Sequence, residues 1–431
     1  MKINSTIAKL TANIFRSNVV PQPNQNLNIT TADFIVIGAG VIGLNIAREL
    51  KRRFTDSHII VIEKENEVAE HASGRNSGVL HAGFYYTKDS LKAKFTRDGN
   101  KALTEYCEEK KIAMNRCGKL VVARHEGELS GLNELLHRGK QNGIELQFIS
   151  EQEAREIEPR VKTFAHALFS PTTSSVSPKV VMENILVDAE REKINVLKGV
   201  KYLGRKYNKI RTNNGIFEAA YIINTAGLYA DLIAKDFGFS KNYTILPFKG
   251  LYLYASNSNE KLNTNIYPVP NLHNPFLGVH FTVTVDGKVK IGPTAIPAFW
   301  REHYQGFSRF NLSEIYKIVL CELGLFVKAG FDFRNLAFEE IKKYSRSVLT
   351  KHASELATHI HKSNYVTWGK PGIRAQLLNT QTRKLEMDFI IEGDNKSMHV
   401  LNAVSPAFTC SIPFSRYVVD KIEVQLSRSH G

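Results

Sequence analysis

Residues 34–43 read FIVIGAGVIG, an unbroken apolar run that leads into three closely spaced glycines. Four consecutive apolar residues are typical of a strand that is covered on both faces in a parallel sheet. Residues 44–53 then have the apolar spacing of a helix, and a second apolar run, IIVI at 59–62, ends at Glu63. A strand, a glycine turn, a helix and a second strand in this order predict a Rossmann-like unit at the centre of an α/β fold.

The glycine turn has the spacing G-x-G-x-x-G, and each glycine has a mechanical role. Gly38 permits a tight turn, Gly40 lets the backbone approach a pyrophosphate, and Gly43 lets the helix pack closely on the strand. The N–H groups at the start of the helix attract phosphates. Glu63 follows Gly43 by twenty residues and can accept hydrogen bonds from both ribose hydroxyls. These features predict a dinucleotide site; the alternative is a glycine turn in some other α/β protein.

The segment after Glu63 favours FAD over NAD as the dinucleotide. Residues 71–86 read HASGRNSGVLHAGFYY, which is rich in small and polar residues and suits close contact with a large flat ligand. A nicotinamide enzyme would usually continue directly into another βαβ crossover. Two later runs, at 221–227 and 398–413, would bring further backbone edges to the same cofactor.

The composition places the chain among globular proteins. Its 431 residues are enough for two or three domains or one two-lobed unit, and 43% hydrophobic with 23% charged residues exclude a mainly disordered chain. No apolar run reaches the roughly 18 residues of a membrane-spanning helix. Lys and Arg number 57 against 42 Asp and Glu, a net charge of +15. This charge favours nucleic acid, acidic lipid headgroups or acidic substrates as partners, and general solubility explains it equally well.

The cysteines give no sign of a metal or redox centre. None of the four forms a CxxC pair and no cluster of His, Cys or Asp has ligand spacing, so we predict no metal site and a reducing compartment. Residues 1–31 contain no Asp or Glu. They are compatible with a mitochondrial presequence or with a flexible extension, and we leave them out of the fold prediction.

Beyond the glycine turn, the chain resembles the L-2-hydroxyglutarate dehydrogenase family, which belongs to the FAD-dependent oxidoreductases of the D-amino-acid oxidase type. The resemblance covers about residues 32–425. Its most specific runs are NSGVLHAGFYY at 76–86 and YPVPNLHNPFLGVHFT at 267–282. Further runs are YIINTAGLYAD at 221–231, LPFKG at 246–250, GPTAIPAF at 292–299, PGIRAQLL at 371–378 and HVLNAVSPAFTCS at 399–411.

The resemblance implies a Rossmann-like FAD-binding domain interleaved with an α+β substrate domain that carries an antiparallel sheet. The implied FAD-binding domain comprises 32–90, 165–235 and 365–425, and the substrate domain comprises 91–164 and 236–364. Local patterns agree in part. Apolar runs predict strands at 119–123 and 249–254, Asp286-Gly287 predicts a hairpin between 279–285 and 288–291, and the spacing at 312–329 predicts a helix.

The implied activity is oxidation of L-2-hydroxyglutarate to 2-oxoglutarate, with hydride moving from C2 to flavin N5 and electrons passing to a quinone or another acceptor. His81 is our candidate base, because an imidazole titrates near neutral pH; the alternative is a histidine that only hydrogen-bonds the flavin or the backbone. Two other functions stay open at this point. One is a related flavin oxidase acting on an amine or amino acid, and the other is a basic nucleic-acid- or membrane-binding protein that keeps the fold as a scaffold.

Further site residues follow from the same runs. Arg374 and Lys249 are candidates for the two substrate carboxylates, since a guanidinium grips a carboxylate with two hydrogen bonds. His280, Tyr267 and Tyr85 are candidates for the pocket wall, with core packing as the alternative. The expected cofactor residues are Gly38, Gly40, Gly43, Glu63, Lys64, Ser73, Arg75, Asn76, Ser77, Val200, Gly227 and Ser405.

These interpretations also predict partners and a location. We expect a small dicarboxylic 2-hydroxy acid as substrate, a membrane quinone or another molecule as electron acceptor, peripheral membrane contact, and no nucleic acid. In a eukaryote the protein would associate with the mitochondrial inner membrane, and in a bacterium it would be cytoplasmic and peripheral to the inner membrane, in both cases without a transmembrane segment.

Overall fold

A computed structural model describes residues 29–256, 260–270, 278–327 and 333–428. Within these ranges the chain forms four β-sheets with covering helices, which confirms the predicted α/β class with antiparallel sheets. The described helices are Val41–Arg53, Leu91–Glu109, Leu129–Gln141, Glu151–Ile157, Pro178–Arg191, Ala230–Asp236, Leu312–Val327, Phe333–Lys342, Arg346–Ser354 and Ala407–Ser427, with 3₁₀ turns at Glu126–Glu128, Gly227–Tyr229 and Lys362–Asn364.

The first sheet, called here the parallel sheet after its central strands, is built on the predicted Rossmann-like unit, and three outer strands join it by antiparallel pairing. Its first strand pairs in parallel with Ile59–Glu63 on one side and Gly215–Asn224 on the other. That strand begins at Ile29, so the predicted extension 1–31 wrongly includes its first residues, while residues 1–28 lie outside the described ranges. The strand order is Tyr202–Lys206, Lys209–Thr212, Gly215–Asn224, Ile29–Ile37, Ile59–Glu63 and Asn195–Lys198, with Ser397–Asn402 beside Gly215–Asn224 and Ile390–Gly393 beyond it.

Both faces of the first strand are buried, which explains its unbroken apolar run. Phe34 and Val36 pack on one side with the helix that follows the glycine turn and with the C-terminal helix. Ile35 and Ile37 pack on the other side in a second apolar cluster. A strand covered on both faces has no reason to alternate polar with apolar residues.

The other sheets are mainly antiparallel. We call the eight-stranded one the mixed sheet, because its strands Asn265–Pro268 and Lys119–Val122 pair in parallel. Its order is Tyr365–Trp368, Leu253–Ala255, Val289–Gly292, His280–Val283, Asn265–Pro268, Lys119–Val122, His166–Ser170 and Gln147–Ser150. A four-stranded sheet contains Ile296–Pro297, Tyr243–Gly250, Gly372–Asn379 and Lys384–Leu385, and a three-stranded sheet contains Val79–Leu80, Ser174–Val176 and Met114–Asn115.

The two faces of the mixed sheet differ in polarity. One face carries apolar side chains such as Leu120, Ile266 and Phe281, which pack with Leu349 and Ala353 of a covering helix. The strand register places on the opposite face Lys119, Asn265, Tyr267, His280, Thr282 and Lys290. An antiparallel sheet commonly turns such a polar face toward water. Here these side chains are buried, so the polar face lies against the interior of the protein.

The local predictions agree with the structure to different degrees. The hairpin at Asp286-Gly287 joins antiparallel strands, and Gly287 has the positive φ of 76° that favours glycine in such turns. The strand predicted at 249–254 is wrong in extent, because one strand ends at Gly250 and the next begins at Leu253. The helix predicted at 312–329 is present to Val327, and its last two positions lie outside the described residues.

Several elements pack outside the domain range predicted for them. The helix Leu91–Glu109 was expected in the substrate domain, yet its Phe95 and Leu103 belong to the cluster beside the parallel sheet. The strands His166–Ser170 and Gly372–Asn379 were expected in the FAD-binding domain, yet they pair within the mixed sheet and the four-stranded sheet. The interleaved division stays a prediction. Pairing partners that are distant in the sequence leave no local signal, so the sequence could not place these elements.

Candidate active site

Among the described residues, a large cavity lies where the glycine turn meets the polar face of the mixed sheet. Its volume is about 1180 Å³, and its wall includes Gly38 and Gly40 from the turn and Tyr267 and His280 from the polar face. The wall contains eleven of the twelve predicted cofactor residues, all except Gly43. Residues far apart in sequence therefore meet around one space.

The glycine turn has little space for side chains, and only Gly40 has an open side. Gly38 has a φ of 105°, which side chains rarely adopt. A Cβ at Gly43 would lie 2.0 Å from the Gly38 carbonyl oxygen, so this glycine serves helix–strand packing behind the cavity wall. A Cβ at Gly40 would meet only Ser73 Oγ, at 3.2 Å. The open side of Gly40 is the place where a pyrophosphate can approach the backbone.

Hydrogen bonds fix the acid and hydroxyl groups around this turn. The Ala39 N–H donates to Glu63 Oε2 over 2.9 Å, and the Val41 N–H donates to Ser73 Oγ over 2.9 Å. The Val200 N–H donates to the Glu63 carbonyl oxygen over 2.8 Å, which joins two neighbouring strand ends. The Glu63 carboxylate is therefore held beside the turn, where a ribose of a bound dinucleotide would lie.

The loop after Ser73 is held by its own polar groups. Asn76 Nδ2 donates to the Ser73 carbonyl over 2.8 Å, and Asn76 Oδ1 accepts from the Gly78 N–H over 2.9 Å. The Ser77 carbonyl accepts from Lys290 Nζ over 3.0 Å, which ties the loop to the mixed sheet. The loop is thus shaped before a ligand binds, and we propose it as a preformed wall for the flavin.

Arg75 fixes the same loop through contacts with two distant segments of the chain. Its guanidinium lies 4.4 Å from the ring centroid of Tyr304, and its Nη1 donates to the Pro371 carbonyl over 3.3 Å. Gly227 and Ser405 contribute the wall segments that follow two strands of the parallel sheet. We keep all three as proposed cofactor contacts.

An ion network closes the glycine-turn side of the cavity. Lys64 pairs with Glu302, and Arg309 pairs with both Glu302 and Glu65. His71 Nε2 lies 2.8 Å from Glu65 Oε1, and this hydrogen bond is the main reason that the pKa of Glu65 is lowered. The network joins the segment after Glu63 to the distant loop at 300–311.

Three members of the network, Glu65, His71 and Glu302, place ligand-type atoms within 4.8 Å of one another. The spacing in the sequence gave no hint of this group, since Glu302 is remote from the other two. Lys64 and Arg309 already bind the two carboxylates, which competes with a cation. The expectation that the chain has no metal site stays a prediction.

Two histidines of the cavity wall are held neutral. His280 stacks on Tyr267 with ring centroids 3.7 Å apart, and its Nδ1 lies 3.0 Å from the Gly278 carbonyl. Burial lowers the pKa of His280 to about 3. Burial also lowers the pKa of His81 well below 6.5, and the nearby Lys119 and His280 lower it further. A neutral imidazole can accept a proton, which is the state a base requires.

The two predicted carboxylate ligands lie in different places. Arg374 belongs to the cavity wall, and its Nε donates to Gln376 Oε1 over 2.9 Å. Lys249 lies on the neighbouring strand, but only Phe248 and Gly250 of that segment reach the wall. Successive side chains of a strand point to opposite faces, so the structure does not bring Lys249 to the cavity.

Tyr85 is also absent from the cavity wall. Its ring stacks on Phe84 with centroids 4.6 Å apart, and it lies behind the wall in an apolar cluster. Burial raises the pKa of its hydroxyl well above 10. Tyr85 therefore lies behind the cavity wall, and its contact with substrate stays a prediction.

The sequence analysis missed two buried lysines, Lys119 and Lys290. Each stands in a short strand whose neighbours are apolar, and each has its side chain on the polar face of the mixed sheet. The sequence feature that could have indicated them is a lysine at a strand position whose side chain points inward. That direction could not be read before the strand register was known. The run at 267–282 also includes residues 271–277, which lie outside the described ranges.

The comparisons with known proteins agree with this geometry. The family described as FAD dependent oxidoreductase matches residues 33–420. The chain is 38% identical to an L-2-hydroxyglutarate dehydrogenase of Indibacter alkaliphilus, over 88% of this chain and 95% of that protein. It is 34% identical to the mitochondrial L-2-hydroxyglutarate dehydrogenase of Bos taurus, over 95% and 92%. In fold it is similar to L-alpha-glycerophosphate oxidase from Mycoplasma pneumoniae with FAD bound, with a TM-score of 0.73 and 23% identity over 92% and 95% of the two chains.

A dinucleotide cavity built from a glycine turn, an acid and a preformed loop defines a flavin-dependent oxidoreductase. The chain belongs to the FAD dependent oxidoreductase family, and FAD is its cofactor. The resemblance to L-2-hydroxyglutarate dehydrogenases that the motifs indicated is confirmed by the relatives.

We expect Glu63→Gln to weaken FAD binding about 10- to 100-fold. A glutamine keeps an oxygen for the Ala39 N–H but removes the charge, and hydrogen bonds to charged groups contribute about 1.5–3 kcal/mol. The measurement is a fluorescence titration of the apoprotein with FAD. Glu183→Gln, an exposed acid of the helix Pro178–Arg191, is the matched control and should bind FAD normally. Equal affinity of the Glu63 variant and the unchanged protein would contradict the assignment.

Proposed function

We propose that the protein oxidises L-2-hydroxyglutarate to 2-oxoglutarate. The observation that carries the proposal is the meeting of a neutral His81 and a guanidinium, Arg374, in the wall of one FAD cavity. An α-hydroxy acid needs a base for its hydroxyl proton and a cation for its carboxylate, and these two side chains supply both. The relatives named for this reaction, at 34% and 38% identity over most of the chain, support the choice of substrate.

In the proposed reaction His81 takes the proton of the C2 hydroxyl while the C2 hydrogen leaves with two electrons. The bound flavin supplies the two-electron acceptor at N5. Arg374 binds the C1 carboxylate through two parallel hydrogen bonds and so orients C2 toward the cofactor. Burial lowers the pKa of Arg374 to about 10, so the guanidinium stays positive at neutral pH.

The electrostatics of the substrate end suit an anionic substrate. The groups that lower the pKa of His81 beyond burial are Lys119 and His280, which are basic. The nearby Lys290 is also buried, and burial lowers its pKa to about 8. A site with several buried basic groups favours a ligand that brings negative charge, as a dicarboxylate does.

The substrate assignment predicts which compounds bleach the flavin. Under anaerobic mixing, L-2-hydroxyglutarate should reduce the flavin absorbance, while D-2-hydroxyglutarate and a panel of amino acids should not. The physical reason is that only one enantiomer presents the C2 hydrogen to the flavin while its hydroxyl faces His81. Bleaching by an amino acid but not by the hydroxy acid would instead support a flavin oxidase of amino acids.

We expect His81→Ala to slow flavin reduction by about 10²- to 10⁴-fold, the usual contribution of a general base. In the unchanged protein, lowering the pH adds a proton to His81 only well below 6.5, because its pKa is lowered. The acid limb of kcat/KM should therefore lie below pH 6.5. His137→Ala, which removes an exposed histidine, is the control and should reduce at the normal rate. An unchanged rate in the His81 variant would remove His81 from the role of base.

We further propose a membrane quinone as the electron acceptor and a bilayer surface as the docking partner. An apolar surface lies beside the cavity, and Phe310 belongs to both. We call it the apolar rim; its members are Phe307, Phe310, Leu312, Tyr316, Leu320 and Leu323, each at least half exposed. Four of them share one face of the helix Leu312–Val327. Large exposed apolar patches mark interaction surfaces in soluble proteins.

The partner we commit to is a bilayer with anionic headgroups. The chain has a net charge of +15, and the exposed Lys317 lies on the same helix as the rim. Basic side chains beside an apolar helix face favour binding in the membrane interface. No helix among the described residues is long and apolar enough to cross a bilayer. The compartment of the protein remains a prediction, either mitochondrial or bacterial.

The double change Leu320→Glu with Leu323→Glu should weaken binding to vesicles that contain anionic phospholipid. Two carboxylates in the rim would have to be desolvated and would repel the headgroups. Co-sedimentation with the vesicles measures the binding, and anaerobic flavin reduction should stay normal. The control is the matched double variant Val180→Glu with Val187→Glu, which alters exposed valines of another helix. This control protein should bind the vesicles as the unchanged protein does. Equal vesicle binding by all three proteins would rule out the apolar rim as the membrane-binding surface.

A further inference from the structure

Lys119 is a buried amine without a hydrogen-bond partner. It is fully buried, and its Nζ has no such partner among the described residues. Three rings surround the nitrogen, with centroids 4.5 Å away for Phe84, 4.6 Å for Tyr85 and 4.9 Å for Tyr267. An unsatisfied buried polar group costs about 1–3 kcal/mol, so a lysine at this position requires a reason other than packing.

The two tyrosines beside Lys119 share this property. The hydroxyl groups of Tyr85 and Tyr267 are buried, and neither makes a hydrogen bond of ordinary geometry in the part of the chain that the structure describes, although Thr282 lies near the Tyr267 hydroxyl. We call Lys119, Tyr85 and Tyr267 the lysine chamber. Each of the three can donate a hydrogen bond, so the chamber presents three donors that a single acceptor group could satisfy.

The lysine chamber also lacks a negative charge. The titratable groups that interact with Lys119 are His81 and His280, and neither carries a negative charge. No ion pair of the described residues includes Lys119. Burial alone lowers the pKa of Lys119 to about 7, so the amine can become an ammonium at little cost once an anion approaches. An anionic group with several acceptor sites is the ligand that fits both needs.

The chamber adjoins the cavity that would hold the substrate. Tyr267 contacts Lys119 and also lines the cavity, where it stacks on His280. Lys119 and Tyr267 lie on the same polar face of adjacent strands. The lysine chamber thus lies behind the wall that carries His81, with Tyr267 as its member on the cavity, and it is separate from Arg374 on the four-stranded sheet.

We propose that the lysine chamber is the subsite for the substrate carboxylate remote from the oxidised carbon, with Lys119 as the residue that selects dicarboxylic over monocarboxylic 2-hydroxy acids. The inference rests on the proposed function and deepens it. One carboxylate lies on Arg374 and the other accepts hydrogen bonds from Lys119 Nζ and the two tyrosine hydroxyls. Neither Lys249, which the sequence suggested for the second carboxylate, nor Lys119 lines the cavity; Lys119 differs because it lies on the polar face of the mixed sheet in contact with Tyr267, which does line it.

The test compares two substrates on the FAD-loaded enzyme. L-2-hydroxyglutarate and L-2-hydroxyvalerate have the same carbon chain, but the second has a methyl group in place of the remote carboxylate. Lys119→Met should lower kcat/KM for the diacid at least about 30-fold, mainly through KM, because truncating one partner of a buried charge pair costs about 2 kcal/mol or more. The monoacid should change by no more than about twofold.

A second variant covers the case in which Lys119→Met does not fold. Tyr85→Phe removes one hydroxyl and keeps the ring, and it should reduce the preference for the diacid about 10-fold. FAD content and the thermal unfolding temperature report folding of both variants. Lys249→Met tests the alternative assignment, because it removes the buried lysine of the four-stranded sheet that the sequence suggested for the second carboxylate. Loss of the diacid preference in Lys249→Met, with the preference intact in the chamber variants, would overturn the proposal.

A binding assay separates this proposal from the proposed function. Glutarate and butyrate lack the hydroxyl group, so they can perturb the flavin spectrum without reacting. Glutarate should bind the unchanged holoenzyme more tightly than butyrate, and Lys119→Met should abolish the difference. If L-2-hydroxyglutarate fails to bleach the flavin while this pattern holds, the proposed function is wrong and the subsite stands. If bleaching occurs and Lys119→Met keeps its preference for glutarate, the subsite is wrong.

Discussion

The burial of a polar sheet face is the constraint on which the site depends. The mixed sheet packs its apolar face in one core and turns lysine, histidine and tyrosine side chains toward the interior, where Tyr267 and His280 line the cavity. Buried polar groups need hydrogen-bond partners. The Ser77 carbonyl satisfies Lys290, and a ring stack holds His280 against Tyr267. The polar atoms of Lys119, Tyr85 and Tyr267 keep no such partner among the described residues, and we propose that the substrate supplies it.

The same burial sets the chemistry of the side chains. Removing an imidazole or an amine from water disfavours its charged form, so the pKa values of His81, His280 and Lys119 are all lowered. At neutral pH both imidazoles are therefore uncharged. Arg374 also has a lowered pKa, yet it keeps its charge because a guanidinium starts from a much higher value. One environment thus yields a neutral imidazole and a permanent cation.

The glycine-turn side of the cavity is organised in a different way, by ion pairs that cross between distant segments. Lys64 and Arg309 bind Glu302 and Glu65, so the loop at 300–311 is fixed to the segment that follows Glu63. This loop leads into the helix that carries the apolar rim. The nucleotide end of the site and the proposed membrane-facing surface are consequently parts of one connected structure.

The sequence by itself determined the Rossmann-like unit, the glycine roles and eleven residues of the cavity wall that were expected to contact FAD. These depend on short-range geometry, since a turn needs Gly38 and a strand covered on both faces needs an unbroken apolar run. The tertiary structure decided which lysine reaches which side. Lys249 and Lys119 both stand in strands, and only strand register and sheet packing place the first away from the cavity and the second behind its wall. A side chain's face depends on partners remote in the chain, and no local pattern encodes those partners.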